Sequence, residues 1–464
     1  MAVRRPAGFL AFTVLWFGQL LSALGTRMTN FALSIWLWQQ TGRTTDLALL
    51  MFSAFLATVL VSPIAGSLID RWNRRLTILL SDAGSAIVTG ALLVLFLTGS
   101  QQTWHLFTAN ALTGGLLAFQ LPAYSATISL MMEKGDYPRA NGMLSLVRFG
   151  PAIFAPSLAA YLLGFASIST VLLLDVLSYE IAVATVFLVR IPATPAQPAA
   201  ERTSVWRDTA FGFRYIAASR PLVGLEALLF TIGLLAAMGY AMIIPLILGR
   251  TGSDTQAGIA LSIGAIGGVL GAVAIGALPA TRDKMFRILV AITVFSIVGR
   301  VLFGVAQSLV FWAIAMFVLH LCIPFIDGYG QAIWQEKIAP AVQGRVFAGR
   351  QFIENLAIPV GLLVAGPVVD HVLEPEMAPG GGLAPVFGWL VGTGPGAGMG
   401  LLCVAVGVLG VGVAVAGFAI PTVRLVEALI PDHDEVEVVP DPVGDRTGRS
   451  TPTDDPADAA LVAE

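Results

Sequence analysis

Charged residues are scarce in this chain: Asp, Glu, Lys and Arg together make up 12% of its 464 residues. An ordinary soluble domain carries about a quarter of such residues, so a domain surrounded by water is excluded. Hydrophobic residues instead reach 56%, and long apolar stretches recur from Phe9 to Ile420. A hydrocarbon core of about 30 Å is crossed by a helix of about 20 apolar residues, and no open sheet can cross it. The composition therefore predicts an all-α polytopic membrane protein.

Cysteine and histidine are also rare. The two cysteines, Cys322 and Cys403, lie in apolar stretches without a spacing pattern, which indicates small core residues rather than a disulfide or a metal site. The four histidines are scattered without ligand spacing, and the phosphate-binding motif G-x-x-x-x-G-K-S/T of ATP-driven pumps is absent. We therefore expect no enzyme, no cofactor, no bound metal and no nucleic-acid partner.

Hydropathy predicts twelve transmembrane helices in two bundles of six. The first six spans are 8–37, 45–69, 76–98, 104–131, 139–165 and 168–190. The second six spans are 221–248, 255–280, 286–306, 308–335, 342–370 and 397–420. The expected organisation is an N-terminal bundle, a connector, a C-terminal bundle and a tail, at 1–190, 191–220, 221–420 and 421–464.

A weak internal repeat supports two related halves. At a constant offset, Pro138 matches Pro340, Gly142 matches Gly344 and Arg148 matches Arg350. Duplicated halves packed around a site at the bilayer midplane are a recurring plan of secondary transporters.

The connector and the tail differ from the apolar spans. The second part of the connector, VWRDTAFGFRYIAASR, mixes apolar and basic residues and predicts an amphipathic helix on the inner leaflet. From Asp432 onward the chain holds ten acidic residues and two arginines, with repeated Pro, Thr and Ala. Such a segment buries too little apolar surface to fold, so we expect a disordered tail.

Lysine and arginine fall almost entirely on one side of the predicted spans. If the N-terminus is cytoplasmic, the outer loops hold only Arg43 and Arg250, while the inner loops and inner helix ends hold many basic residues. Cytoplasmic loops of membrane proteins carry an excess of these residues. The distribution predicts that both termini are cytoplasmic and that the basic residues face the inner leaflet of the lipid bilayer.

The most specific motif, GSLIDRWNRRLTILLSD, joins the second and third spans. A tight turn between two helices needs a glycine, here Gly66, for close approach of the backbones. The carboxylate of Asp70 can accept hydrogen bonds from the N-terminus of a neighbouring helix. The motif resembles the inner-loop pattern G-x-x-x-D-R-x-x-R-R of the major facilitator superfamily. The resemblance implies a loop that latches the cytoplasmic side of the two bundles in the outward-facing state. The latch residues are Gly66, Asp70, Arg71, Arg74 and Arg75.

Three further stretches resemble the branch of that superfamily that contains macrolide-efflux and enterobactin-exporter proteins. They are WFGQLLSALGTRMTNFALSIWLWQQTG, QAIWQEKIAPAVQGRVFAGRQ and LVGTGPGAG. The resemblance covers nearly the whole membrane body. It implies a monomeric secondary transporter of the bacterial inner membrane, which exports a small amphiphilic compound in exchange for protons by alternating access. A lipid (lysophospholipid) flippase on the same fold and an importer of a hydrophilic nutrient remain open.

The fifth span matches in part a glycine–proline motif of superfamily antiporters. Proline removes a backbone hydrogen bond and glycine loosens packing, so this helix could bend. Ordinary glycine-rich packing between membrane helices is the alternative. The fourth span lacks the arginine found in many proton-coupled members. The motif residues are Gly142, Gly150, Pro151 and Pro156.

Charged residues inside the spans are candidates for the substrate or proton path, because burying one costs several kcal/mol unless it is paired or faces water. We favour Arg27 and Asp327 as path residues, because neither has an opposite charge at helical spacing. A purely structural role is the alternative for both. Neutral polar residues would complete the path. The other candidates are Asp175, Glu180, Glu226, Glu354, Gln19, Asn30, Gln120 and Gln331.

Several of these charges have simpler explanations. Glu354 follows Arg350 by four residues, which predicts a local ion pair. Asp175 and Glu180 point about 140° apart at about 100° per residue, so they should not share one cavity. Glu226 lies near the inner end of its span and should reach the lipid headgroups.

Overall fold

The computed structural model describes residues 8–69, 74–131, 137–189, 205–278 and 283–432. All regular structure in these ranges is helical. The first half consists of six long helices in series. They are α1 (Phe9–Thr41), α2 (Thr44–Ile69), α3 (Arg74–Thr98), α4 (Thr103–Met131), α5 (Tyr137–Leu163) and α6 (Ile168–Leu188).

A shorter helix, α7 (Val205–Ala218), precedes the second half. It falls within the predicted connector, whose first part lies outside the described residues. The long helices of the second half are α8 (Arg220–Ala241), α10 (Asp254–Ala277), α11 (Lys284–Val294), α13 (Leu309–Lys337), α14 (Pro340–Val368) and α17 (Ala397–Ala419). Shorter helices accompany them: α9 (Ile243–Thr251) follows α8, α12 (Leu302–Val305) follows α11, and α15 (Glu374–Met377) and α16 (Ala384–Val391) lie between α14 and α17.

The described residues contain ten helices that are long and apolar enough to cross a membrane. They include all the predicted spans except the fourth and fifth. Those two spans correspond to α4 and α5, which have 29 and 27 residues. The fold class is therefore confirmed as all-helical and polytopic, while the count of twelve spans stays a prediction.

The two halves repeat one packing pattern. In the first half α2 packs on α4, α1 on α5, and α3 on α6. In the second half α10 packs on α13, α8 on α14, and α11 on α17. These are the corresponding pairs when each half is counted from its own first span. The weak sequence repeat begins at the first turns of α5 and α14, which are equivalent helices in this pattern.

Glycines allow the closest helix pairs in both halves. A methyl group at Gly25 of α1 would come within 3.1 Å of the Cα atom of Asp175 on α6. A methyl group at Gly267 of α10 would come within 2.9 Å of the carbonyl carbon of Phe317 on α13. Small residues let membrane helices approach at backbone distance and gain van der Waals contact.

Two predicted spans are less regular than hydropathy suggests. The seventh is broken at Met242 between α8 and α9, where Pro245 has no N–H to continue the ladder. The ninth contains a π-helical stretch, Phe295–Val301, between α11 and α12. Hydropathy reports apolar length but not backbone hydrogen bonding, so neither irregularity was predicted.

The predicted boundaries need correction near the C-terminus. Residues 371–396 were expected to form an outer loop between the last two spans. Instead, α14 continues through a π-helical turn, Val369–Leu373, into α15, and α16 follows. Residues 421–429, which were expected to belong to the disordered tail, instead form α18 (Pro421–Arg424) and α19 (Val426–Leu429), and both pack on the second half. Val426 is fully buried, so an apolar contact holds these turns on the bundle. Residues 433–464 lie outside the described ranges.

Ionic contacts fix these last turns to the ends of two spans. Lys284 Nζ at the start of α11 lies 2.8 Å from Glu336 and 3.4 Å from Glu427. Lys337 Nζ at the end of α13 lies 2.6 Å from Asp432. We call this end of the molecule the basic end.

The two halves meet toward the opposite end, which we call the closed end. Here α14 packs on α2 and α10 packs on α5. A methyl group at Gly366 of α14 would come within 2.6 Å of the Cα atom of Thr45 on α2, and one at Gly258 of α10 within 2.7 Å of the carbonyl oxygen of Pro156 on α5. Ser157 and Ser262 share a hydrogen bond of 2.8 Å across the second contact.

Candidate functional site

A fully buried carboxylate, Asp82, lies on α3 in the first half. The amide nitrogen of Gln19 on α1 donates to one carboxylate oxygen at 2.7 Å, and that of Gln120 on α4 donates to the other at 2.6 Å. Gln120 also donates to the side-chain amide oxygen (Oε1) of Gln19 at 3.0 Å. The described residues place no basic side chain in an ion pair with Asp82. Three helices therefore hold one acid through neutral amides.

The sequence predicted Gln19 and Gln120 as path residues but not the acid that joins them. Asp82 was read only as the last residue of the inner-loop motif. A single acid in the apolar stretch LTILLSDAGSAIVTG was the signal that could have identified it, because isolated intramembrane charges are functional by default.

A second buried carboxylate, Asp175, lies on α6 and is 1% exposed. It borders a cavity of about 20 Å³ together with the threonines of three other helices and two asparagines. Ser178 donates to the Asp175 side chain at 3.5 Å. Glu180, five residues further along α6, is exposed. The two acids therefore face apart, as the helical spacing predicted.

In the second half one arginine gathers several predicted residues. Arg350 on α14 donates to the Glu354 carboxylate at 2.9 Å, so the expected local pair is present. It also donates to the side-chain amide oxygen (Oε1) of Gln331 at 2.7 Å. Its Nε also lies 4.0 Å from Glu226 on α8. Glu226 is only 4% exposed, so the prediction that it reaches the lipid headgroups was wrong. Arg350 on the neighbouring helix compensates its charge instead.

Arg300, in the π-helical stretch of the ninth span, is 2% exposed. One Nη donates to the Ala236 carbonyl oxygen at 2.8 Å, while Nε and the other Nη lack hydrogen-bond partners among the described residues. The guanidinium lies 5.2 Å from the ring centre of Phe295. Gly239 makes room for it, because a methyl group there would meet the guanidinium carbon at 2.8 Å. Sequence reasoning missed this residue, although an isolated arginine in FSIVGRVLFGV was visible.

The two favoured charges have a different environment. Arg27 on α1 and Asp327 on α13 are both exposed on the surface of the protein, and so is Asn30 on α1. Arg27 has no ion-pair partner within 4.0 Å among the described residues. Arg27 does not join the buried networks around Asp82 and Arg350 among the described residues.

The predicted latch is described only in part. Asp70 and Arg71 lie outside the described residues, Gly66 lies near the end of α2, and Arg74 begins α3. Arg75 donates to the carbonyl oxygens of Val186 and Phe187 at 3.3 and 3.4 Å. It thereby caps the last turn of α6, where free carbonyl groups favour cations.

The predicted bending motif lies on α5. Pro151 and Pro156 are both inside this helix, and Pro156 makes the close contact with Gly258 at the closed end. Gly150 has open space where a side chain would be. Gly142 lies in the first turns of the same helix. The motif therefore lies on a helix that joins the two halves.

At the closed end one carboxylate caps a helix of the other half. Asp370, after α14, accepts hydrogen bonds from the backbone N–H groups of Thr44 and Thr45 at 3.0 and 2.7 Å. Those groups are at the N-terminus of α2, where unpaired N–H groups favour an anion. Contact between the halves therefore includes a directed polar interaction as well as close packing.

An open cavity of about 450 Å³ lies near the basic end. It is bounded by α7, α8 and α14, and its lining is apolar apart from Glu226. Glycines bring α7 and α14 together, since a methyl group at Gly212 would meet the Arg345 carbonyl oxygen at 2.5 Å. The connector helix thus packs on the protein and forms one wall of this cavity.

Comparisons with known proteins agree with this architecture. The model of the family described as Major Facilitator Superfamily matches residues 15–362, well over half of the chain. The sequence is 25% identical over 368 residues to macrolide efflux protein A of Streptococcus pyogenes, covering 78% of this chain and 90% of that protein. It is 26% identical over 313 residues to macrolide efflux protein A of Enterococcus faecalis, covering 66% and 96%.

Solved structures with the same fold are more distant in sequence. A nucleoside transporter named NupG superposes with a TM-score of 0.65 at 14% identity, covering 88% of this chain and 98% of that one. A bacterial homologue of the lysosomal transporter Spinster, solved in an inward-facing and unoccupied conformation, superposes with a TM-score of 0.64 at 15% identity, covering 91% and 97%.

Proposed function

The chain belongs to the major facilitator superfamily, and from that premise we propose that it exports a small amphiphilic compound by alternating access. It is a membrane transporter rather than an enzyme, and its curated homologues are bacterial, consistent with a bacterial inner membrane. The homologues named for macrolide efflux support export as the direction and an amphiphile as the substrate class.

One observation carries the alternating-access mechanism: the close contacts that join the two halves, α14 with α2 and α10 with α5, lie toward one end of the molecule, the closed end. A substrate held between the halves can leave at that end only if these contacts separate. Directed contacts across the joint include the Ser157–Ser262 hydrogen bond and the helix cap by Asp370, and such a cap contributes about 1 kcal/mol. An interaction of that size stabilises the closed end without locking it.

The open cavity near the basic end lies between the connector helix and the second half, not between the two halves, and it supports an entry site for an amphiphilic substrate. Its volume of about 450 Å³ is in the range of drug-sized pockets. Apolar walls with Glu226 at one side suit a molecule that has a large apolar part and a polar group. Since the positive-inside rule places this end in the cytoplasm, a substrate could reach it from the inner leaflet.

We propose the proton as coupling ion and Asp82, rather than Asp327, as the carboxylate that carries it. Asp82 is completely buried, whereas Asp327 is exposed. Its partners are the neutral amides of Gln19 and Gln120, so protonation would break no ion pair among the described residues. Tyr179 of α6 is a titratable group on a neighbouring helix that interacts with it electrostatically. A buried acid without a cationic partner is suited to alternate between charged and neutral forms.

Accumulation of a radiolabelled macrolide in cells with and without the protein tests the function. Lower accumulation in cells with the protein, reversed by a protonophore, is the expected result. Higher accumulation would indicate import. An unchanged macrolide level, together with redistribution of a fluorescent lysophospholipid between leaflets, would favour the flippase.

The substitution Asp82→Asn tests the coupling site. An amide of the same shape cannot bind and release a proton, so we expect at least a tenfold loss of proton-driven export. Exchange of labelled for unlabelled substrate, which needs no net proton movement, should persist. Glu180→Gln is the matched control, because this exposed acid of the first half should leave export unchanged. Normal proton-driven export by Asp82→Asn would contradict the assignment.

A further inference from the structure

The cavity beside Asp175 has the properties of a small cation site, and we propose that it binds a sodium ion. The site lies inside the first half, between α1, α3, α4 and α6. It is separate from the Asp82 network and from the joint between the halves. Its proposed role does not depend on the substrate, because ion binding can be measured on the protein alone.

The lining of this cavity is rich in oxygen. A single carboxylate, Asp175, is accompanied by hydroxyl groups and amide carbonyl groups, which are the ligands that hard cations prefer. The polar lining residues are Thr26, Thr29, Asn30, Thr89, Asn110, Thr113, Asp175 and Tyr179. They come from four helices, so the site exists only in the folded bundle.

One lining oxygen is left unused. Thr29 is 5% exposed, and its hydroxyl, although near enough to Asp175 to interact with it, makes no hydrogen bond of normal geometry among the described residues. In contrast, the Thr26 hydroxyl is engaged with the Ser22 carbonyl oxygen at 3.0 Å and the Tyr179 hydroxyl at 2.7 Å. A buried hydroxyl without a partner costs free energy. A bound ion would give the Thr29 oxygen the interaction it lacks.

The charge of the site favours a cation over a water molecule. Asp175 is 1% exposed, and no described basic residue forms an ion pair with it. The other buried acid of this half, Asp82, carries no positive charge that could compensate Asp175. An isolated ionised carboxylate is strongly disfavoured away from water. A monovalent cation neutralises one carboxylate, whereas a divalent ion would leave an excess positive charge.

The size of the cavity favours sodium over a proton or a larger ion. A proton occupies no volume, yet the structure keeps a cavity of about 20 Å³ beside the carboxylate. About 10–15 Å³ is enough for one water-sized sphere, and a dehydrated sodium ion is smaller than water. Potassium is larger and would have to expand a bundle in which Gly25 already brings α1 against Asp175. Asn30 lines the cavity and is exposed, which offers a route for the ion.

Thermal unfolding of the purified full chain in detergent tests the proposal. Sodium chloride should raise the unfolding temperature relative to potassium chloride and choline chloride at equal ionic strength and pH. The rise should grow with the logarithm of the sodium concentration above the dissociation constant and reach on the order of 3 °C at a hundred times that constant, so that fitting the curve gives the half-saturating concentration. Asp175→Asn should abolish the difference between sodium and the other cations.

Two further variants make the test independent of the carboxylate. Thr29→Val keeps the side-chain shape but removes the unpartnered oxygen, and should raise the half-saturating sodium concentration at least about tenfold. Glu180→Gln removes an exposed acid of the same helix and should leave the sodium response unchanged. This pair remains informative if Asp175→Asn fails to fold.

Either of two outcomes would overturn the proposal. Sodium could stabilise the wild-type protein no more than potassium or choline, which would leave the cavity to water or to a protonated acid. Alternatively, the sodium response could persist at the same midpoint in Asp175→Asn and Thr29→Val. Neither result would affect the assignment of export, which is measured by substrate accumulation.

Discussion

The two halves of this transporter share one helix-packing pattern but differ in the charge of their interiors. The buried charges of the first half are Asp82 and Asp175, which have neutral partners. Those of the second half include Arg300 and Arg350, and its buried acid Glu226 lies 4.0 Å from Arg350. Among the described residues the first interior is therefore acidic and the second contains buried arginines.

Helix α14 carries an arginine network around Arg350, while the side chain of Arg148, its counterpart on α5, lies outside the described residues. Among the described side chains, similar helix packing therefore accompanies different buried charges in the two halves. Buried charges rarely add net stability, so their asymmetric placement points to function. In our account the acidic half handles cations, while Arg350 fixes the geometry of the basic half.

The largest expected effect comes from removing Arg350. Arg350→Met should destabilise the protein by about 3–5 kcal/mol, because Glu226 would remain buried without a compensating charge. Denaturation in mixed detergent micelles measures the change. Combining it with Glu226→Gln should restore most of the loss. A single variant as stable as the wild type would show that the two charges are independent.

The same substitution at Arg300 should have the opposite sign. Arg300 has no ion-pair partner among the described residues, so Arg300→Met leaves no opposite charge uncompensated. Replacing a buried ion pair by apolar residues of similar volume is often neutral or stabilising by about 1–4 kcal/mol, and we expect a buried charge without an ion-pair partner to follow the same rule. The same denaturation assay should therefore show equal or greater stability. A clear loss would reveal an anionic partner and make the two arginines equivalent.

The smallest expected effect concerns the joint between the halves. Asp370→Ala removes the cap on α2 and should weaken the closed end by about 1 kcal/mol, or roughly fivefold in population. Spin labels at residues 43 and 371, both exposed, would report a larger fraction of long distances. Glu376→Ala is the control, because Glu376 accepts from Gly382 within its own loop. Equal distance distributions in both variants would exclude Asp370 as a contact that favours closure.

The fold followed from the sequence because bilayer thickness and hydropathy constrain helix length and position. Most predicted spans agree with the described helices within a few residues. The break at Met242 and the π-helical stretch around Arg300 were not predicted, since both depend on backbone hydrogen bonding. The helical turns after Pro421 were missed because their stability comes from contacts with distant residues such as Lys284.

The candidate site was less predictable. Gln19, Gln120 and Glu354 were identified by type and position, and the Glu354–Arg350 pair followed from helical spacing. The partners of the glutamines could not be derived, because Asp82 is brought to them by packing of three helices. Arg27 and Asp327 were favoured for lacking an opposite charge at helical spacing; both are exposed, and their place in the path stays a prediction. Spacing along one helix does not reveal which face meets its neighbours.

Substrate accumulation in proteoliposomes under an imposed proton gradient tests the central claim of proton-driven export most directly. An acidic vesicle interior should drive uphill accumulation of the amphiphile, because protons leave as substrate enters, and a protonophore should collapse it. This direction is expected for an antiporter whichever way the protein is inserted. Simple equilibration of the substrate, or accumulation only when the vesicle exterior is acidic, would contradict the account.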